Sequence, residues 1–115
     1  MDFTQLDEFK KELKQLLKKY RSLEHDLDLL KDYLQKYPRG NEPRVFQINN
    51  LGIQVEIFKV KHFRCATLKG KGSLSGIRIV YAYFPDQNKI EFVEIYYKEH
   101  DNTDCDKERI LRNYS

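Results

Sequence analysis

From Phe3 to Tyr37 the apolar positions recur at three- and four-residue intervals: Leu6, Phe9, Leu13, Leu16, Leu17 and Tyr20, then Leu23, Leu27, Leu30, Leu34 and Tyr37. This is the spacing of helices buried along one stripe, and it predicts two amphipathic helices within residues 1–37. Thr4 is placed to cap the first, with Asp7 at the acidic position of a capping box, and Ser22 to cap the second. Lys18, Lys19 and Arg21 fall where the first helix ends and where cations suit the helix dipole. The short join between the two segments predicts an antiparallel helical hairpin. Pro38, Gly40 and Pro43 then stop the second helix and open a turn-rich linker.

Beyond the linker the period shortens to two, and β-branched and aromatic residues take over. Strands are expected over Val45–Ile48, Ile53–Phe63, Ile77–Phe84 and Lys89–Tyr97, the last two joined by the turn Pro85-Asp86-Gln87-Asn88. Short joins make the pairing mainly antiparallel. In the third of these strands Ile77, Ile79, Tyr81 and Tyr83 alternate with Arg78, Val80, Ala82 and Phe84. One face therefore carries Arg78 and is a candidate working surface, while the other packs against the helices. The expected fold class is α+β, a helical hairpin on a sheet of about four strands. The organisation is one domain over residues 1–115: hairpin 1–37, sheet 44–98 and a polar tail 99–115 that ends in a turn of helix around residues 107–112.

A chain of 115 residues with 40% hydrophobic and 13% aromatic content can bury a core as one unit. Its longest apolar run, residues 79–84, is too short to span a bilayer. Two cysteines, Cys65 and Cys105, build no disulfide framework and form no CxxC pair, so a reducing cytoplasm is the expected location. The net charge of +3 conceals a partition: residues 1–37 are balanced, residues 38–84 carry 8 basic against 2 acidic side chains, and residues 85–115 carry 5 basic against 8 acidic. A basic middle of this kind either forms a phosphate-binding surface or is ordinary solubilising charge.

Within that middle, Lys59 and Lys61 lie two apart on a strand and so leave it on one face, roughly 7 Å apart. With Arg78 on the next strand they make a candidate cradle for a sugar-phosphate backbone. The competing reading pairs them with Glu91 or Glu94 across the sheet. The loop Leu68-Lys69-Gly70-Lys71-Gly72-Ser73-Leu74-Ser75-Gly76 offers ammonium and backbone N–H groups to phosphate, yet it lacks the Gly-Lys-Ser/Thr and following helix of a Walker loop. Arg64, Lys69 and Lys71 are candidate contacts to RNA outside the centre. His100, after the last strand, is a candidate proton donor near neutral pH, while His25 reads as solvated and His62 as packing. Neither the histidines nor the cysteines have metal-ligand spacing, so no metal and no cofactor are expected. Tyr81, Tyr83, Phe92, Tyr96 and Tyr97 read first as core of a small sheet and second as a base-stacking platform.

The run Phe58-Lys59-Val60-Lys61, then Ser75-Gly76-Ile77-Arg78-Ile79-Val80-Tyr81-Ala82-Tyr83, then Ile90-Glu91-Phe92-Val93-Glu94-Ile95-Tyr96-Tyr97-Lys98 resembles the RelE/ParE superfamily, the toxins of type II toxin-antitoxin pairs. The resemblance covers most of the chain. It implies a cytoplasmic toxin, away from membranes, neutralised by a cognate antitoxin in a hetero-oligomer. In the RelE branch it further implies an endoribonuclease that cuts mRNA on the ribosome and so inhibits translation. There the message's own 2′-OH attacks the neighbouring phosphate while fixed cations hold the charge. Lys59, Lys61 and Arg78 match the motif's strand lysines and strand arginine, and His100 falls two positions from the histidine that some cleaving relatives place after the last strand. Glu99 stands where RelE has a second arginine, and the family's tail tyrosine aligns near Cys105, with Tyr114 able to supply a tail phenol only if the tail folds back. The strand that usually precedes the helical hairpin has at most residues 1–4 and is expected to be short or absent. The ParE branch, which binds DNA gyrase, and an inactive relative that binds only antitoxin are the alternatives.

Overall fold

The computed structural model describes residues 1–68, 75–98 and 104–115. Its order is β1 (Asp2–Gln5), α1 (Asp7–Leu17), α2 (Leu23–Lys36), β2 (Val45–Ile48), β3 (Glu56–Val60), β4 (Ile77–Phe84), β5 (Lys89–Tyr97) and α3 (Lys107–Tyr114). The class is α+β, with a five-stranded sheet in the order β1-β5-β4-β3-β2. All neighbours are antiparallel except β1, which runs parallel to β5 from the pair Asp2–Lys89 to the pair Gln5–Phe92.

Three of the four expected strands have the bounds read from the pattern. The remaining one is shorter: β3 covers only Glu56–Val60 of the expected Ile53–Phe63. Ile53 and Val55 alternate because they pack against the sheet, and packing alone imposes the same period as pairing. The added strand is β1. Thr4 lies in it and donates its hydroxyl to Glu91 Oε2 at 3.1 Å, so it does not cap α1. Leu6 takes the cap position without a side-chain bond, and Asp7 and Glu8 supply negative charge to the first turn instead. Ser22 does sit at the N-cap of α2, but its hydroxyl donates to Asp26 Oδ2 at 2.7 Å.

That hydroxyl belongs to a clasp. Thr67 N donates to Ser22 Oγ at 2.8 Å, Ser22 N donates to Thr67 Oγ1 at 2.9 Å, and the buried Asp26 carboxylate accepts from Ala66 N at 3.2 Å. A second tie closes the start of β4, where Ser75 Oγ donates to Phe63 O at 2.6 Å and accepts from Ile77 N. Gly76 holds φ +88°, and a Cβ there would meet the Tyr97 ring at 3.1 Å, so a glycine is required at this entry.

Each face of the sheet has its own core. Phe58, Ile79, Tyr81, Phe92 and Ile95 point to α1 and α2, where Phe9, Leu23, Leu30 and Leu34 meet them fully buried. Ile57, Val80, Ala82 and Val93 point the other way, toward Cys105 and Ile110 at α3. A bulge between β4 and β5 sets Tyr81 opposite Phe92 but Val80 opposite Glu94, which inserts Val93 as an extra residue. Val93 and Glu94 thus both serve the α3 side, one through packing and the other by accepting from Asp106 N at 2.8 Å. The tail, expected to be polar with a turn of helix, forms two turns capped by Asp106, whose carboxylate accepts from Arg109 N.

β1 ends at Gln5, so the outer edge of β5 past Phe92 has no strand beside it. Side chains fill this gap. Glu12 of α1 accepts from Ile95 N at 3.3 Å, and Arg109 of α3 donates to Val93 O at 2.8 Å. The two side chains also bind each other in a fork, at 2.9 and 2.8 Å. Glu8 adds a third carboxylate oxygen 3.2 Å from Arg109 Nε. The arrangement holds the guanidinium well above its ordinary pKa, Glu12 being the main cause. Replacing Arg109 with Met is expected to lower unfolding free energy by about 3 kcal/mol, because the carboxylates and the Val93 carbonyl lose their partner. Urea denaturation of the variant measures this; a change below about 0.5 kcal/mol would mean that the edge is held by packing alone.

Candidate nucleic-acid interface

The strand cations leave the sheet on the α3 side. Lys59 of β3 is opposite Val80 of β4, and Arg78 lies two residues before Val80 on the same face, opposite Tyr96 of β5. Lys61 follows the last β3 pair, Val60–Ile79, so one further step of that register would set it beside Arg78. The ammonium of Lys61 is 4.7 Å from the centre of the Phe46 ring on β2. Lys59, Lys61 and Arg78 are thus gathered at one end of one face, each only partly exposed. Arg64 lies just beyond and is exposed. Lys69, Lys71 and His100 lie outside the described residues.

The face is less open than its sequence suggests. α3 and residues 48–55 cover Val80 and Ala82, while Arg78 and Lys61, at the other end, are partly exposed among the described residues. The cross-strand pairing with Glu91 or Glu94 does not occur. Glu91 is taken by Thr4 and by the Tyr114 hydroxyl, which donates to it at 2.7 Å, while Glu94 caps the entry to α3. Lys59 pairs instead with Asp104, Nζ to Oδ1 at 2.9 Å, and its side chain is only 19% exposed. Among the described residues it is the one of the three cations with an ion-pair partner.

Burial and local charge sort the surrounding groups. The Lys59 hydrogen bond, helped by Cys105 N, pulls the Asp104 carboxyl down to about 2. Burial pushes the Glu94 carboxyl up, and the hydrogen bond from Asp106 N, with Arg109 behind it, only partly offsets this. Burial also raises the Cys105 thiol to about 11, so this cysteine is a protonated packing group and not a nucleophile. Tyr96 is raised as well, first by burial and then by Cys105, Glu94 and Asp104, with Arg78 acting in the opposite direction. Its phenol therefore keeps its proton at neutral pH and stands as a neutral donor beside Arg78. Tyr114, the tail tyrosine, is at the opposite end of the sheet against Phe84, ring centres 6.0 Å apart. The fold-back of the tail consequently brings no phenol to the cations.

The tail thus meets the strand cations through one contact, that of Asp104 with Lys59. No model of a known protein family matches the chain, and no curated protein matches it. A chain of the crystal structure of an archaeal RelE–RelB complex from Pyrococcus horikoshii OT3 does, with a TM-score of 0.59 over 86% of this chain and 96% of that one, at 14% identity. The fold is RelE-like. The three helices and the mainly antiparallel five-stranded sheet are similar to RelE, and in this chain the strand cations occupy one face of that sheet. Among the described residues no helix is long and apolar enough to cross a membrane.

The Lys59–Asp104 pair has a measurable signature. Asp104 has a folded pKa below its unfolded value, so the pair contributes stability above about pH 4 that is lost as pH falls toward about 2. Carboxyl-carbon NMR of the intact protein is expected to titrate Asp104 near 2, and Lys59→Ala to return it toward the ordinary aspartate range. An unchanged midpoint in that variant would show that Cys105 N, not Lys59, sets the shift.

Proposed function

We propose that the chain is the toxin of a type II toxin-antitoxin pair, and that it acts as a ribosome-dependent mRNA endoribonuclease in the cytoplasm. The observation that carries this reading is the placement of Lys59 and Arg78 on one face of a RelE-like sheet, with Lys61 at its margin. In-line attack of a ribose 2′-OH on the adjacent phosphate forms the 2′-O–P bond, breaks the P–O5′ bond and releases the hydroxyl proton to water. It concentrates negative charge on the nonbridging oxygens. Cations fixed by strands meet that charge without reorganising, which is where electrostatic catalysis gains most. Lys59 and Arg78 hold the phosphate, and Lys61 extends the contact toward β2. A proton must reach the departing 5′-oxygen, and His100 is the donor proposed from the sequence. Arg64, Lys69 and Lys71 contact RNA outside the reaction centre and make no bond to the reacting atoms.

The antitoxin partner follows from the same surface. The structural relative is part of a RelE–RelB complex, and an acidic antitoxin segment complements the basic end of this sheet. A second reading, a toxin that binds DNA gyrase or a relative that binds antitoxin alone, is favoured by one specific observation. Tyr114, the tail phenol, is committed to Glu91 away from the cations.

Purified protein added to a bacterial translation extract is expected to create new mRNA 5′ ends at codon-phased positions, and only when ribosomes are present. Lys59→Ala and Arg78→Ala should each slow this cleavage on the order of 100-fold. The double variant should abolish growth arrest while keeping the folded circular-dichroism spectrum of the parent protein. Arrest with intact message would move the target to gyrase; normal growth with intact message would support the inactive relative.

A further inference from the structure

The contact between Lys59 and Asp104 has a meaning beyond packing if the basic end of the sheet binds phosphate, and the inference rests on that reading. Four observations bear on it. Lys59 is four-fifths covered and its ammonium is committed at 2.9 Å, whereas the Asp104 side chain is 52% exposed. Asp104 is held weakly on its own side, by Lys59 and by the backbone N–H of the next residue, Cys105, at 2.7 Å. Everything after it is held strongly: Asp106 N on Glu94, Ile110 fully buried, and Arg109 in its fork with Glu12. The carboxylate can therefore rotate away from Lys59 into solvent while α3 stays docked.

A carboxylate bound to an ammonium presents the same charge and much the same oxygen geometry as one edge of a phosphodiester. We propose that Asp104 is a built-in competitor for the phosphate of RNA, occupying the Lys59 ammonium until a backbone phosphate displaces it by side-chain rotation alone. An isolated single strand has to break the Lys59–Asp104 bond and then tolerate the Asp104 charge nearby. It gains little from this one exchange. A strand already held by other surfaces brings the phosphate at high effective concentration and makes the exchange favourable. The contact thereby sets a threshold that separates free RNA from RNA presented on a larger assembly.

Asp104→Asn keeps the shape and removes the charge, and since the side chain is half exposed the variant retains the fold. The experiment measures binding of a fluorescein-labelled single-stranded RNA oligonucleotide by anisotropy at low salt, for the parent, D104N, K59A and K59A/D104N. D104N is expected to bind about tenfold more tightly, and the gain to vanish in the K59A background, as a charge-assisted bond released to the RNA requires. Glu12 and Arg109 should keep their pairing in the RNA complex, visible as unshifted Arg109 Nη–H resonances. If K59A weakens binding but D104N leaves it unchanged, the competitor is overturned and the phosphate site stands. If neither substitution alters binding, the phosphate site itself fails, and the competitor with it. A tenfold gain that persists without Lys59 also overturns the proposal, since the effect would then be net charge alone.

Discussion

Where β1 stops, the sheet has a raw edge, and the pairing of Glu12 with Arg109 is what closes it. A parallel strand of four residues can satisfy β5 only as far as Phe92. Past that point Ile95 N–H and Val93 C=O are met by a carboxylate from one side of the sheet and a guanidinium from the other. The same bidentate bond then joins α1 to α3 around the edge. A buried backbone group left unpaired is costly, so the position of α3 follows from the shortness of β1. The cover on the Arg78 face, the docking of Cys105 and the reach of Asp104 to Lys59 all depend on that position.

The electrostatic partition of the sequence acquires a spatial meaning from this clamp. The basic middle of the chain lies on β3 and β4, and the acidic tail is folded back across it rather than away from it. Only one contact between the two, Lys59 with Asp104, is a close ion pair among the described residues. The other described tail carboxylates serve α3 itself: Asp106 caps it and approaches Arg109, and Glu108 lies in its first turn, while Glu94 of β5 accepts from Asp106 N. Among the described residues Arg78 and Lys61 stay partly exposed and without an ion-pair partner.

Much of the frame could be read from periodicity, because burial imposes it. Leu23, Leu27, Leu30 and Leu34 mark α2, and the bounds of β2, β4 and β5 follow from alternation and from Pro85 to Asn88 between the last two. What pattern reading missed was short or polar. β1 has four residues, too few for a period, and Thr4 there looks like a helix cap because a hydroxyl before a helix usually is one. Arg109 and Asp26 are charged residues buried by partners remote in sequence, and local patterns do not disclose such partners. The candidate cations were legible because they sit two apart on a strand. Their partner was not, although the excess of acid in the tail opposite a basic middle pointed to the kind of residue that would supply it. Tyr96 was grouped with core aromatics, and its place beside Arg78 emerges only from the register of β4 on β5.

The clasp among Ser22, Asp26, Ala66 and Thr67, together with the tie from Ser75 to Phe63, fixes both ends of the segment between them independently of what lies in the middle. One root is fastened to the first turn of α2, and the other, just before β4, to Phe63 beyond the end of β3. The two described flanks are thus held by side chains rather than by strand pairing, and the register of β4 begins from a fixed point. The demand at these flanks falls on a buried aspartate, a buried serine and a glycine whose backbone no other residue adopts without strain.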